Sequence, residues 1–175
     1  LILNSNLEIK KFNTLYLKSL INILKKMGAN LKINENSIKI LKGPKLKSAS
    51  VSTSPYPGFP TDLQAQLMSL MCLSNGKSKI KETIFENRFM HVPELNRMGA
   101  KIKTLGVFCN IKGPQDLNGA EVMATDLRAS VSLVLAGLIA KDKTIVNRVY
   151  HLDRGYEKLE KKLKKCNANI SRINI

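Results

Sequence analysis

Two stretches of the chain, 61–75 and 125–140, are apolar on nearly every side. The first carries Leu63, Leu67, Met68, Leu70, Met71 and Leu73, and the second Leu127, Val131, Leu133, Val134, Leu135, Leu138 and Ile139. A helix without a polar face has to be covered all round, so both are predicted as core helices. Two other segments carry a single apolar stripe. Leu17, Leu20, Ile21 and Leu24 fall at i, i+3, i+4 and i+7 on a helix over 14–27, and Tyr156, Leu159 and Leu163 mark another over 154–165. On the wet face of the latter, Glu157 to Lys161 and Glu160 to Lys164 have the favourable i,i+4 spacing. Short β-branched or alternating runs at 37–41, 79–83, 107–111 and 144–147 read as strands.

These elements recur in a fixed order. Lys26-Met27-Gly28-Ala29-Asn30-Leu31-Lys32-Ile33 returns as Arg97-Met98-Gly99-Ala100-Lys101-Ile102-Lys103 and, weaker, as Lys165-Cys166-Asn167-Ala168-Asn169-Ile170. Thr61-Asp62-Leu63 is echoed by Thr125-Asp126-Leu127, and Asn87-Arg88-Phe89 by Asp153-Arg154-Gly155-Tyr156. One unit therefore reads as a T-D-L core helix, a strand, an arginine-bearing loop, a surface helix, a small-residue turn and paired strands. Units are expected at 51–114 and 115–175, with 1–50 an incomplete first copy that lacks its T-D-L helix. The chain also does not begin with Met, which a cut boundary or a partial sequence would explain. A domain short of one core helix is expected to expose apolar surface when alone.

A hydrophobic content of 43% over 175 residues is enough for one ordinary domain. No apolar run reaches the ~18 residues that a membrane-spanning helix needs, and the first residues do not resemble a secretory signal. Cys72, Cys109 and Cys166 are widely spaced and form no C-x-x-C pair, so no zinc site, disulfide framework or other metal site is suggested, and a reducing cytoplasm fits. All three read as structural, Cys72 in an apolar helix, Cys109 in a strand and Cys166 at the turn position taken by Gly elsewhere. His91 and His151 have no ligand-spaced partner and read as packed or hydrogen-bonded. The net charge of +16, from 29 Lys+Arg against 13 Asp+Glu, raises nucleic acid as a partner. The excess is mostly Lys, however, and reads as scattered over loops and helix faces. Aromatics make up only 5% of the chain, so stacking platforms for bases are not evident, and most of the charge is taken as solvated surface.

Candidate chemistry gathers at the helix starts. Thr61 and Thr125 read as N-caps, with Asp62 and Asp126 in the first turns and Ser54-Pro55-Tyr56-Pro57-Gly58-Phe59-Pro60 as a rigid approach to the first. An acid in a first helical turn is favoured by the helix dipole whatever its function, so neither carboxylate is catalytic by position alone. In a chain that otherwise uses Lys, Arg88, Arg128 and Arg154 occupy equivalent or neighbouring points of the repeat. Arg offers a planar fork for phosphate or carboxylate that Lys does not. The competing reading pairs Arg88 and Arg154 with Glu86, Asp153 or Glu157. There is no Gly-rich phosphate loop and no Ser-His-Asp set.

Four segments, in this order and spacing, resemble the UDP-N-acetylglucosamine enolpyruvyl (1-carboxyvinyl) transferases. They are the residues from Tyr56-Pro57-Gly58-Phe59-Pro60-Thr61-Asp62 to Gln66, from Glu82-Thr83-Ile84-Phe85-Glu86-Asn87-Arg88 to Leu95, Met123 to Ser130, and Tyr150 to Glu157. The resemblance spans almost the whole chain and is loose only over 1–50. It implies an α/β, inside-out barrel of three similar units per domain, with helices inside and strands outside, in an enzyme of about twice this length. It implies transfer of the enolpyruvyl group of phosphoenolpyruvate to the sugar 3-hydroxyl, with release of phosphate, as the first committed step of peptidoglycan synthesis, and calls for no cofactor. By match, Asp62 contacts the 3-hydroxyl and takes its proton, and Asp126 lies beside the reacting carbon in a supporting or proton-transfer role. The backbone of Ile84 holds the nucleotide sugar, while Arg88, Arg128 and Arg154 belong to the cluster that clamps phosphoenolpyruvate. Thr61 and Asn87 are read as scaffold.

In that family the cysteine that protonates or traps phosphoenolpyruvate lies in a loop of the other domain, with a lysine-asparagine pair and further arginines. None of Cys72, Cys109 and Cys166 falls at that position. The chain is therefore expected to carry part of an active site, to be inactive alone, and to need the N-terminal half in cis or in trans. The alternatives are a truncated, non-catalytic relic and a basic binding protein of the same fold.

Overall fold

The computed structural model describes residues 1–173. Strand β1 (Leu7–Lys10) opens the chain, followed by a 3-10 turn (Thr14–Leu17), helix α1 (Lys18–Lys26) and the hairpin β2 (Leu31–Asn34) and β3 (Ser37–Ile40). The three strands form an antiparallel sheet in the order β1-β3-β2. The stripe predicted for 14–27 buries Ile21 and Leu24, but its first turn is 3-10, capped by Asn13 Oδ1 on the Leu15 amide at 2.9 Å.

Strand β4 (Ser50–Ser52) leads through a 3-10 turn (Thr61–Leu63) into α2 (Gln64–Met71), which crosses over to the parallel strand β5 (Gly76–Lys81). Helix α3 (Val92–Arg97), β6 (Lys101–Leu105) and β7 (Phe108–Gly113) complete a sheet in the order β4-β5-β7-β6. The same crossover occurs again. Strand β8 (Glu121–Met123), α4 (Leu127–Gly137) and the parallel strand β9 (Ile145–Asn147) repeat it, followed by α5 (Tyr150–Asp153) and α6 (Leu159–Lys165).

Of the helices predicted as covered all round, α2 is so, while α4 is covered only in its middle, with Leu127 and Leu135, and Leu138 and Ile139 just beyond it, half-buried. Every residue of α2 except Gln66 is buried, and Ala129 to Val134 of α4 are buried as well. The two helices pack on each other closely enough for Ser69 Oγ to donate to the carbonyl of Ser132 at 2.9 Å. Small residues at the crossing permit this approach, and the hydroxyl needs the partner because no water reaches it. Met68, Met71, Ile80, Cys109, Ile111 and Leu133 fill the space between helices and sheet with almost no exposure.

Several expectations need correction. The helix expected over 154–165 is broken, because Lys158 adopts a left-handed φ of 45° and α6 starts only after it. Upstream of the break, Gly155 packs against Leu127, where a Cβ would come within 2.9 Å of Cδ2. Neither i,i+4 pair forms: the break separates Glu157 from Lys161, and Glu157 meets Lys162 at 3.5 Å, while Glu160, within α6, meets Arg172 at 3.8 Å. Gly28, Gly99 and Asn167 share the left-handed turn conformation, with φ of 86°, 94° and 62°. Asn167, not Cys166, is thus the turn residue of the third copy, and Cys166 holds the place of the buried Met27 and Met98 while remaining exposed. No strand follows this turn among the described residues, so the paired strands expected there are not formed. Among the described residues no helix is long and apolar enough to cross a membrane.

Candidate functional site

The starts of the two buried helices lie side by side, and the chemistry collects there. Asp62 stands in the 3-10 turn that leads into α2, with its side chain 62% exposed. Two guanidinium groups converge on its Oδ1. Arg128, at the start of α4, donates from Nε at 2.8 Å and reaches the same oxygen with Nη2, while Arg88 donates from Nη2 at 3.3 Å. Arg88 is the more enclosed of the two, with its side chain 19% exposed and its guanidinium 4.7 Å from the ring centroid of Phe85. Its Nε is buried without a partner among the described residues. One acid is therefore held by two arginines from distant segments, a juxtaposition that neither segment signals alone.

The caps differ from expectation by one residue. Asp126, not Thr125, is the N-cap of α4, and its Oδ1 accepts from the amides of Arg128 at 2.7 Å and Ala129 at 3.1 Å. Two otherwise orphaned helix donors are satisfied this way. Thr61 does not cap either. Its hydroxyl donates to Glu82 Oε2 at 2.9 Å.

Glu82 is the site residue that sequence reasoning missed. It is 2% exposed at the end of β5, and each oxygen is occupied. Oε1 accepts from the Thr53 hydroxyl at 2.8 Å, from the Ile84 amide at 2.9 Å and from the Phe85 amide at 3.3 Å, while Oε2 takes Thr61. A buried carboxylate costs several kcal/mol unless its lone pairs are satisfied, and here three separate segments supply the donors. Through this acid the turn that carries Asp62 is tied to the backbone at Ile84. The available signal was an acid closing an alternating strand, where a solvated end would have read equally well.

His91 lies behind this cluster, 2% exposed, with Nε2 lacking a partner among the described residues. Burial holds its pKa down to about 4; the Asp126 carboxylate opposes that shift and the Arg88 guanidinium adds to it. The imidazole is thus neutral at physiological pH. His151 is half-buried against Tyr150, with ring centroids 4.3 Å apart. Burial also raises the thiols of Cys72, to about 12, and Cys109, to about 11.

Arg154 is not brought into contact with Asp62. It is exposed and forms no ion pair among the described residues. Its neighbours nevertheless anchor it at this end, Gly155 against Leu127 and the Tyr156 hydroxyl at 3.3 Å from Gln66 Nε2. The pairing of Arg88 or Arg154 with Glu86, Asp153 or Glu157 does not occur. Asp153 is instead taken by Arg172, with Oδ2 at 3.0 Å from Nη1, and this partner holds its carboxyl below the usual range. Among the described residues no cluster of acids, histidines and cysteines could hold a metal ion.

A family profile described as EPSP synthase (3-phosphoshikimate 1-carboxyvinyltransferase) matches residues 1–163. The chain belongs to this family. Within it, the chain is similar to proteins named UDP-N-acetylglucosamine 1-carboxyvinyltransferase. It is 58% identical to one from Pelagibacter ubique (strain HTCC1062) over 169 residues, which cover 97% of this chain and 40% of that protein. It is 51% identical to one numbered 2 from Mesorhizobium japonicum, over 99% of this chain and 41% of that protein. The chain thus spans about two fifths of these curated relatives' length. Among solved structures, the enolpyruvyl transferase NikO from Streptomyces tendae superposes with a TM-score of 0.90 at 26% identity, over 98% of this chain and 41% of that one. EPSP synthase from Acinetobacter baumannii superposes at 0.60 over 81% of the chain with 17% identity, a likeness of fold. The mixed α/β fold with buried crossover helices is therefore that of the enolpyruvyl transferases, and no closed barrel is formed by the described residues.

Proposed function

We propose that this chain is part of an enzyme that transfers the enolpyruvyl group of phosphoenolpyruvate to the 3-hydroxyl of UDP-N-acetylglucosamine, releasing phosphate, in the cytoplasmic phase of peptidoglycan synthesis. It divides into units at 1–50, 51–114 and 115–175, the first of them partial. The observation that carries this reading is the Asp62 carboxylate held between Arg88 and Arg128; the names of the relatives support the choice of substrates.

The geometry suggests how the parts act. With two guanidinium groups on Oδ1, that oxygen of Asp62 is already engaged. An incoming phosphate or carboxylate competes for the same planar forks. When phosphoenolpyruvate draws Arg128 and Arg88 onto its anionic groups, Asp62 Oδ1 is left free to accept from the sugar hydroxyl as it arrives. Asp62 then takes the hydroxyl proton while the oxygen bonds to the central carbon of the enolpyruvyl group. The methylene carbon takes a proton from an acid. The methyl group so formed then returns a proton to a base as the C–O bond to phosphate breaks, which restores the C=C bond, and the arginines stabilise the departing charge. Exposed Arg154 is free to join them. The Ile84 backbone, fixed by Glu82, contacts the nucleotide sugar, and Asp126 supports the reacting carbon while its Oδ1 remains engaged in the cap.

The test is reconstitution. The chain is joined to the portion of the Pelagibacter relative that the match leaves uncovered, and phosphate release from phosphoenolpyruvate is followed with and without UDP-N-acetylglucosamine. Release that depends on the sugar nucleotide supports the proposal. A folded hybrid that binds the sugar nucleotide but releases no phosphate would identify a non-catalytic copy.

A further inference from the structure

The lysines that look scattered along the sequence are gathered by strand register. Lys77, Lys79 and Lys81 of β5 are exposed alternate positions whose neighbours Ser78 and Ile80 face the core. Across the ladder, Lys77 stands opposite Lys112, which stands opposite Lys101. In the next row Lys79 faces Asn110 and then Lys103, and in the last Lys81 faces Phe108 and then Leu105. Six ammonium groups therefore share the face of the sheet turned away from α2, and no acidic residue lies in any of these three strands. Like charges directly opposite one another destabilise a sheet, so the arrangement favours an external anion. A shallow depression of about 610 Å³ on this part of the sheet is lined by Lys77, Lys101, Lys103 and Lys112.

The last row is different. The β6–β7 hairpin turns at Gly106 and Val107, and Leu105 and Val107 are 66% and 49% exposed at its tip. The Val107 carbonyl accepts the Glu82 amide at 2.8 Å, so this apolar tip is held to the end of the sheet. Phe108, beside it, has the Lys79 ammonium 4.1 Å from its ring centroid. That ring is covered by a cation instead of being offered to a base, which disfavours nucleic acid as the occupant.

We propose that this face docks on an anionic phospholipid bilayer, with the lysine grid against the headgroup phosphates and Leu105 and Val107 entering the interface. Lysines near a charged membrane surface and a partly inserted apolar tip act additively in such binding. The inference does not rest on the catalytic reading and survives its failure.

The test is co-sedimentation of the chain with vesicles of phosphatidylglycerol and phosphatidylcholine, compared with phosphatidylcholine alone, at 0.1 and 0.5 M salt. Because any protein of this charge is drawn to anionic surfaces, the decisive comparison is between two lysine pairs of equal charge. Lys79→Gln with Lys103→Gln is expected to weaken partition into the anionic vesicles about 25-fold, roughly fivefold per lysine. Lys161→Gln with Lys164→Gln on α6 is expected to weaken it less than threefold, a ratio set by screening over one Debye length. Leu105→Ser with Val107→Ser is expected to reduce partition about tenfold and to remove what binding persists at high salt. Equal losses from the two lysine pairs, an unaffected tip variant, or tighter retention of a labelled single-stranded oligonucleotide than of vesicles at the same salt would each overturn the proposal.

Discussion

Arg128 Nε lies 2.8 Å from Asp62 Oδ1, and the two residues stand at the starts of the two buried helices. The ion pair is half in solvent, with side chains 34% and 62% exposed. Such a pair contributes at most about 1 kcal/mol to folding. Its value is positional: it holds the carboxylate and the guanidinium fork in reach of one another.

Replacing Arg128 by Lys should therefore separate stability from activity. The denaturation midpoint of the chain is expected to change by less than about 1 kcal/mol equivalent. Phosphate release by the reconstituted enzyme is expected to fall about tenfold to a hundredfold, since a point charge does not replace a two-point fork. Urea titration and steady-state kinetics measure the two quantities.

Glu82 should behave in the opposite way. Glu82→Ala leaves two hydroxyls and two amides without their acceptor in a buried setting. The expected cost is about 3 kcal/mol in urea unfolding, with Glu82→Gln costing less because one oxygen survives.

His91 sets a pH dependence. Its folded pKa, about 4, lies below the ordinary 6.5, so the unfolded chain binds more protons between these values. Stability is accordingly complete above pH 6.5 and is lost as pH falls toward 4, by about 3 kcal/mol. In His91→Gln the slope of stability against pH over this window should flatten.

Thiol reactivity should be confined to one cysteine. Cys72 and Cys109 are buried with raised pKa values, whereas Cys166 is exposed. Titration with a disulfide reagent at pH 8 should label a single thiol in the folded chain and the other two only in denaturant. Cys166→Ser should abolish the fast phase.

The legible parts of the molecule are those fixed by local pattern. The buried helices were readable because Leu67, Met68, Leu70 and Met71 leave no wet side, and the turns at Gly28 and Gly99 because a left-handed residue is needed there. The illegible parts depend on partners distant in sequence. Arg172 takes Asp153 and Lys158 interrupts a helix that periodicity extends through it. Glu82 is buried because Thr53 and Thr61 reach it from other segments. The lysine grid follows from cross-strand register, which spacing along one strand does not contain. Within the candidate site, the residue types at Asp62, Arg88 and Arg128 were readable, and their convergence on a single oxygen was not.

The central claim is that Asp62 acts as the base, released by the arginines when the anionic substrate binds. The direct measurement is phosphate release by the reconstituted enzyme carrying Asp62→Asn, alongside its binding of UDP-N-acetylglucosamine. The account predicts a loss of turnover of at least about a hundredfold with sugar-nucleotide affinity changed by less than about tenfold. Turnover that survives the substitution within about threefold would contradict it, and Asp62 would then be a structural anchor for the two arginines.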